Sequence, residues 1–181
     1  KRLYAAFLLG AILGLRRSDI INLTFSNIDW EHNTISLFQE KTKKRVELPL
    51  TKEVGSAIID YLKNERKNDC ADKHVFLTLK PPFQKMSVNT LYVGIQTAIW
   101  VSGVNVERRH HGIHVMRHSL ATRLLKDGQP LPMIANVLGH SSSNSTKSYL
   151  RVDMDGLKKC LFPIPPVPLT FYEQKGGIFY E

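Results

Sequence analysis

The chain has 181 residues, a length that suits one domain with a hydrophobic core of its own. Lysine and arginine number 25 against 16 aspartate and glutamate residues, so the formal net charge is +9, while 43% of the residues are hydrophobic. This composition excludes a disordered chain and suits an anionic partner, either nucleic acid or an anionic membrane surface.

The first apolar segment predicts a buried helix. An uncharged run from Leu3 to Leu15 follows two basic residues, and its apolar side chains recur at helical spacing. This arrangement also resembles a signal peptide, but the run ends in Arg16-Arg17 without a cleavage site and is too short to cross a bilayer. We therefore expect neither export nor membrane insertion. Because the chain does not begin with Met, we interpret it as a fragment.

The remaining elements are mainly helices, with one small hairpin. Apolar residues recur at helical spacing in most segments and alternate in the hairpin strands. In chain order we expect a short helix capped by Ser18 and running through Leu23, strands at 34–38 and 45–48 joined by a basic turn, a helix capped by Thr51 and running to about Asn64, a strand at 74–77, a helix starting at Ser87, a helix from about His114 to Lys126 that stops at Gly128, a helix from Leu131 to Leu138 ending at Gly139, and two short helices carrying Tyr149 and Leu157. The predicted fold class is mainly α with a small antiparallel β-sheet (α+β).

The domain organisation follows from the same pattern. We expect one domain at residues 1–162 and a Pro-containing C-terminal tail at 163–181. The two cysteines, Cys70 and Cys160, stand far apart without CxxC or Cys/His spacing. They are expected to be reduced thiols of a cytoplasmic protein.

Several polar residues stand where packing alone does not require them. Arg16 directly follows the apolar helix, and His114 and Arg117 share one face of a helix because they are three residues apart. His140 follows a helix end, and Tyr149 comes nine residues later. Each residue alone has an ordinary structural explanation, such as a solvated helix end or a packed tyrosine.

Taken together, these segments resemble the tyrosine recombinases of the phage integrase family. Five elements of that family occur here in the same order. GLRRSD at 14–19 matches the first arginine box, and KTK at 41–43 matches the hairpin lysine. HVMRH at 114–118 matches the second box, LGH at 138–140 matches the L-G-H element, and Tyr149 stands at the position of the nucleophile. The resemblance covers Lys1 to about Leu161. It departs from the pattern at Asp19, where Glu is common, and at Ser119, where Thr is frequent.

The resemblance implies site-specific cleavage and rejoining of double-stranded DNA, with no metal and no cofactor. Arg16 and Arg117 would hold the scissile phosphate, because a planar guanidinium can bind two phosphate oxygens and a lysine in its place would lose that fork. Tyr149 would attack the phosphorus and form a covalent 3′-phosphotyrosyl intermediate, which conserves the bond energy for rejoining.

The resemblance also implies roles for the other motif residues. His114 would assist deprotonation of Tyr149, Lys41 would protonate the leaving 5′-oxygen, and His140 would donate a hydrogen bond to the phosphate. Lys43 and Lys44 remain alternatives to Lys41. The supporting residues are Asp19 and His118, and the candidate contacts to the DNA backbone are Lys43, Lys44, Arg108 and Arg109. A solvated charge cluster explains Arg108 and Arg109 equally well.

The family resemblance further implies a homotetramer on a specific recombination site of a mobile genetic element. Members usually carry an N-terminal domain that grips the other side of the DNA, and we expect no such domain within these 181 residues. We therefore expect weak, salt-dependent DNA binding by this chain alone. A C-terminal helix containing Leu157 would be exchanged between protomers, although packing on its own domain is the alternative.

Three other functions stay open at this point. A type IB topoisomerase or telomere resolvase would use nearly the same residues, and a non-enzymatic DNA-binding module would not need Tyr149. A metal-dependent hydrolase would use His110, His111 and His114. No nearby Cys or carboxylate completes a standard ligand pattern for these histidines, so we expect no metal site.

Overall fold

Helices and one small sheet form the parts of the chain that the computed structural model describes, residues 1–67, 71–105 and 112–139. The elements in these ranges are α1 (Arg2–Ala11), α2 (Arg17–Ile21), a 3-10 turn (Phe25–Asn27), β1 (Ile28–Asp29), β2 (Thr34–Phe38), β3 (Arg45–Pro49), α3 (Lys52–Asn64), α4 (Val88–Val101), α5 (Ile113–Lys126) and α6 (Leu131–Leu138). The predicted fold class, mainly α with a small antiparallel sheet, is confirmed.

The sheet is antiparallel with the strand order β1-β2-β3. In the predicted hairpin, Ile35 pairs with Leu48 and Leu37 pairs with Val46, and all four side chains are buried. Alternate residues of a strand point to opposite faces, so the hairpin covers the core with one face and exposes the other. The hairpin prediction is confirmed.

The strand predicted at 74–77 is wrong. The third strand is β1, and the 74–77 segment makes isolated bridges from His74 to Thr24 and from Leu77 to Lys85. Val75 and Phe76 are fully buried nonetheless. Their apolar character comes from core packing of an extended segment, which a short apolar run cannot distinguish from a strand.

Helix α1 is the central helix of the core. Ala5, Ala6 and Leu9 are fully buried, and α1 packs against α3 and α5. Gly10 permits close approach to α5, since a Cβ there would lie 2.9 Å from Ile113 Cγ2. The apolar pattern continues past the end of the helix at Ala11 because Leu13 and Leu15 are also buried, in the loop that leads to α2.

The predicted helix caps have mixed outcomes. The side chain of Thr51 accepts a hydrogen bond from the backbone N–H of Val54 at 3.4 Å, as expected. Ser18 is not a cap, because α2 begins earlier, with Arg16 as the N-cap residue and the Arg16 carbonyl accepting from the N–H of Ile20.

Each of the last two described helices is followed by a glycine whose backbone has the left-handed conformation. Gly128 follows α5 with φ +76°, and Gly139 follows α6 with φ +60°. The predicted stop at each glycine is confirmed.

None of the helices in the described ranges has both the length and the apolarity of a membrane span. The short helices predicted around Tyr149 and Leu157, the end of the domain at residue 162 and the tail at 163–181 lie outside the described residues.

Candidate active site

Four predicted catalytic residues line a single cavity of about 370 Å³. The fold brings together the loop after α1, the hairpin turn and the first turns of α5. The lining residues are Leu15, Arg16, Arg17, Ser18, Lys41, Val88, Ile113, His114 and Arg117. The cavity wall therefore carries four side chains that are cationic at neutral pH, and such a wall favours an anionic ligand.

Arg117 is the buried cation of this cavity. It lies on α5, is 3% exposed, and donates from Nη1 to the Gly14 carbonyl at 2.6 Å and from Nη2 to the Leu138 carbonyl. Gly14 has φ +65°, a conformation that glycine adopts without strain. The two bonds fix the plane of the guanidinium against the loop before α2 and against the end of α6.

Arg16 also lines the cavity, at the N-cap position of α2. Its Nη1 donates to the side-chain oxygen of Gln39 and is 4.0 Å from a carboxylate oxygen of Asp19. Gln39 is fully buried, and the sequence motifs did not identify it. The alternation of side chains along a strand could have identified Gln39 as buried, because Ile35 and Leu37 are buried and residue 39 continues the same face.

Asp19, predicted to support the arginine and the histidine, is buried beside Arg16. One carboxylate oxygen accepts from the backbone N–H of Glu40 at 3.1 Å. The other is buried without a hydrogen-bond partner among the described residues. Burial raises the pKa of Asp19, and the Glu40 N–H and the charge of Arg16 act in the opposite direction.

His114 and His118 face each other one turn apart on α5. Their Nε2 atoms are 3.0 Å apart, and the rings meet edge to face with centroids 4.5 Å apart. Burial lowers the pKa of His114. The pKa is lowered further by neighbouring groups that repel a positive charge on the His114 ring, namely His118, Arg117, Arg17 and Lys41. Burial and Arg117 lower the pKa of His118. Neutral imidazoles, which can accept a proton, are therefore favoured here.

The lysines of the hairpin turn differ in what they face. Lys41, Lys43 and Lys44 are all exposed, but Lys41 lines the cavity with the arginines. Lys44 lines a separate groove with residues of α6 such as Asn136. This geometry favours Lys41 over Lys44 as the lysine that reaches a ligand in the cavity.

Arg17 lines the cavity, although the motif comparison gave it no role. Its guanidinium carbon is 5.4 Å from the centroid of the Tyr92 ring, which is within the range of a cation–π contact. Tyr92 lies on α4, so this contact holds the start of α2 against α4. Arg17 thus adds a positive charge to the cavity wall. Among the described residues, no hydrogen bond joins its side chain to an acidic group.

The remaining predicted site residues lie outside the described residues. These are Arg108, Arg109, His140 and Tyr149, together with His110 and His111 of the metal alternative. Within residues 1–67, 71–105 and 112–139, no group of three or more His, Cys, Asp or Glu side chains could hold a metal ion.

Solved structures define the class of fold. XerA recombinase superimposes with a TM-score of 0.73 at 24% identity, over 88% of this chain and 56% of that one. A λ integrase fragment (residues 75–356) in a structure of its dimer bound to a COC′ core site matches with a TM-score of 0.63 at 19% identity, over 82% of this chain and 51% of that one. The fold is that of tyrosine recombinase catalytic domains.

Sequence comparison identifies the family. The model of the phage integrase family matches residues 1–155, and the chain belongs to this family. The putative integrase/recombinase y4gC of Sinorhizobium fredii is 34% identical over 162 residues, which cover 90% of this chain and 82% of that protein. Tyrosine recombinase XerC of Bacillus pumilus is 30% identical over 153 residues, 81% of this chain. The chain spans only 48% of XerC and 39% of a second S. fredii relative, y4rA.

Proposed function

We propose that this chain is the catalytic domain of a site-specific tyrosine recombinase that cuts and rejoins double-stranded DNA through a 3′-phosphotyrosyl bond to Tyr149. The observation that carries the proposal is the meeting of Arg16, Lys41, His114 and Arg117 around one cavity. These residues come from three separate segments of the chain, and each has a chemical reason to face a phosphodiester.

The two arginines serve the phosphate in this proposal. A phosphodiester is anionic and gains charge on its equatorial oxygens in the pentacoordinate transition state, so fixed cations lower the barrier. Arg117 is suited to this because two carbonyl bonds fix its plane. Arg16 lines the same cavity and is held by Gln39. Together they form a clamp on the two non-bridging oxygens.

His114 and Lys41 serve the proton transfers. A tyrosine hydroxyl with a pKa of about 10 is a weak nucleophile at neutral pH and needs a nearby base. The lowered pKa of His114 keeps its imidazole neutral and able to accept that proton. Lys41, on the exposed turn at the mouth of the cavity, is the proposed acid for the departing 5′-oxygen. His140 completes the set by donating to the phosphate.

The proposed partners are DNA and further copies of the protein. XerH recombinase, a structural neighbour with a TM-score of 0.69 at 22% identity, was solved bound to its difH substrate. The Tn1549 transposon integrase, with a TM-score of 0.65, was solved with circular intermediate DNA. By analogy we propose that this chain acts in the cytoplasm on a recombination site of a mobile element. The proposed assembly is a homotetramer that exchanges C-terminal helices.

A covalent trapping assay tests the proposed function. Labelled DNA from the ends and junctions of the encoding element is mixed with the full-length protein in EDTA, and label that stays on the denatured protein is counted. We expect the wild type and the control Tyr4→Phe, an exposed tyrosine of α1, to trap DNA. Tyr149→Phe should trap none.

Two outcomes would contradict the proposal. Equal trapping by Tyr149→Phe would exclude this tyrosine as the nucleophile. No trapping by the wild type, on DNA that it binds and whose cleavage site is independently mapped, would favour a binding module without catalysis.

A further inference from the structure

Gln39 connects the two arginines through one continuous set of hydrogen bonds. Its side-chain oxygen accepts from Arg16, and its Nε2 donates to the Leu138 carbonyl at 3.2 Å. The same carbonyl accepts from Arg117, which also donates to the Gly14 carbonyl at 2.6 Å. Because Gly14 is two residues before Arg16, the bonds close into a ring, called here the arginine ring.

The orientation of the Gln39 amide is determined by its surroundings. Its oxygen faces two donors, Arg16 Nη1 and Thr42 Oγ1, the latter at 3.0 Å, and its nitrogen faces the acceptor carbonyl of Leu138. A flipped amide would direct its N–H groups at the Arg16 guanidinium and place its oxygen against the Leu138 carbonyl oxygen. Since Gln39 is fully buried, no water would compensate for that loss.

The end of α6 is shaped around this side chain. A Cβ built on Gly139 would lie 2.3 Å from the Gln39 Oε1, 2.5 Å from its Cδ and 2.6 Å from its Nε2. Only a glycine leaves room for the amide at this position. The contact joins the hairpin that carries Lys41 to the residue that precedes His140.

Gln39 binds Arg16 at a place where a buried anion also lies nearby. The Arg16 Nη1 is 4.0 Å from the Asp19 oxygen that has no hydrogen-bond partner among the described residues. A carboxylate bound tightly to Arg16 would cancel its charge, whereas the neutral amide of Gln39 fixes the guanidinium and leaves the charge in place. Without the amide, we expect Arg16 to turn toward Asp19.

We infer that Gln39 is a positioning residue that sets Arg16 and Arg117 at the spacing needed to bind the scissile phosphate. The inference rests on the proposed recombinase function. Gln39 does not touch the reacting atoms. It acts through Arg16 directly and through Arg117 by way of the shared Leu138 carbonyl.

The first experiment replaces Gln39 by methionine, which has a similar volume and no hydrogen-bonding amide. The full-length protein is mixed with increasing concentrations of the DNA that the wild type traps, and the single-turnover trapping rate is measured. We expect the maximal rate to fall about 10- to 100-fold, because misplaced transition-state contacts cost factors of this size. The DNA concentration for half-maximal rate should change less than about threefold. The control is Gln84→Met at an exposed loop position.

The second experiment uses Gln39→Glu at neutral pH. A carboxylate at this position cancels the charge of Arg16 and repels the Leu138 carbonyl. We therefore expect the maximal trapping rate of Gln39→Glu to fall below that of Gln39→Met.

The outcomes separate this inference from the proposed function. A wild-type maximal rate for Gln39→Met or for Gln39→Glu would overturn the positioning role. If Gln39→Met fails to fold, the maximal rate of Gln39→Glu decides. Tyr149→Phe on the same DNA tests the proposed function alone, and a wild type that traps no DNA overturns both.

Discussion

At the scale of single residues, the histidine pair on α5 has the clearest chemical consequence. Three cations, Arg17, Lys41 and Arg117, oppose a positive charge on His114, and His118 lies against its ring. A lowered pKa means that His114 is neutral, and able to accept a proton, at every pH above that value. It gains a proton only in more acidic solution than an ordinary histidine.

The pH dependence of DNA trapping follows from this sign. We expect the trapping rate at saturating DNA to fall on the acid side with a midpoint below 6.5, the ordinary pKa of histidine. Arg17→Ala removes one repelling charge, so it should move the midpoint toward higher pH. Arg45→Ala, on an exposed residue of β3 away from the cavity, should leave the midpoint in place. A midpoint above 6.5 would contradict the role of His114.

Motifs predicted four residues that line the cavity, but not the residue that joins its two arginines. Arg16, Lys41, His114 and Arg117 stand in recognisable segments, and the structure brings these four to one cavity. Gln39 belongs to no motif. Its importance depends on three-dimensional neighbours, the Arg16 guanidinium and the Leu138 carbonyl, that sequence spacing does not specify.

At the scale of elements, the two helix-ending glycines offer a matched comparison. Both Gly128 and Gly139 have positive φ. A Cβ on Gly128 would meet no atom within 4 Å, whereas a Cβ on Gly139 would overlap the buried Gln39 amide. The backbone requirement is therefore shared, and the packing requirement belongs to Gly139.

Alanine at each glycine separates the two requirements. Gly128→Ala should lower the free energy of unfolding by about 1–2 kcal/mol through left-handed strain alone. Gly139→Ala should cost a further 1–3 kcal/mol or so, because overpacking displaces the Gln39 side chain. Urea denaturation measures both. Equal losses of unfolding free energy for the two variants would mean that the Gln39 side chain can move aside at no cost in stability.

The elements themselves were predictable where local pattern and local chemistry agree. The hairpin, the Thr51 cap and the glycine stops all follow from nearby residues. The strand predicted at 74–77 and the Ser18 cap were both wrong. Val75 is buried in the core without a full strand partner, and α2 starts earlier than expected, at Arg17.

At the scale of the whole molecule, positive charge is both general and local. The net charge of +9 attracts a polyanion to any face, while the cavity concentrates four cationic side chains at one place. The first effect gives non-specific attraction that salt screens. In the proposed function, the second gives contacts with individual phosphates, each of which would release bound counterions from DNA.

The salt dependence of DNA binding distinguishes the two effects. Arg17→Ala should reduce the slope of log affinity against log salt concentration by about 1, if Arg17 contacts one phosphate. Lys63→Ala removes an equal charge from the last turn of α3, and we expect the slope to stay unchanged. Titrations of labelled duplex at several salt concentrations measure both. Equal changes would mean that only total charge matters.

The arginine ring has a consequence for how the protein matures. Its bonds join positions far apart in the chain, 103 residues for Arg117 to Gly14 and 99 residues for Gln39 to Leu138. Contacts of such long range form late, since the intervening chain must first be ordered. A chain still emerging from the ribosome carries Arg16 and its positive charge but lacks α6. In the proposed chemistry, such a nascent chain could hold DNA but could not cut it, so the genome would be exposed only to finished enzyme.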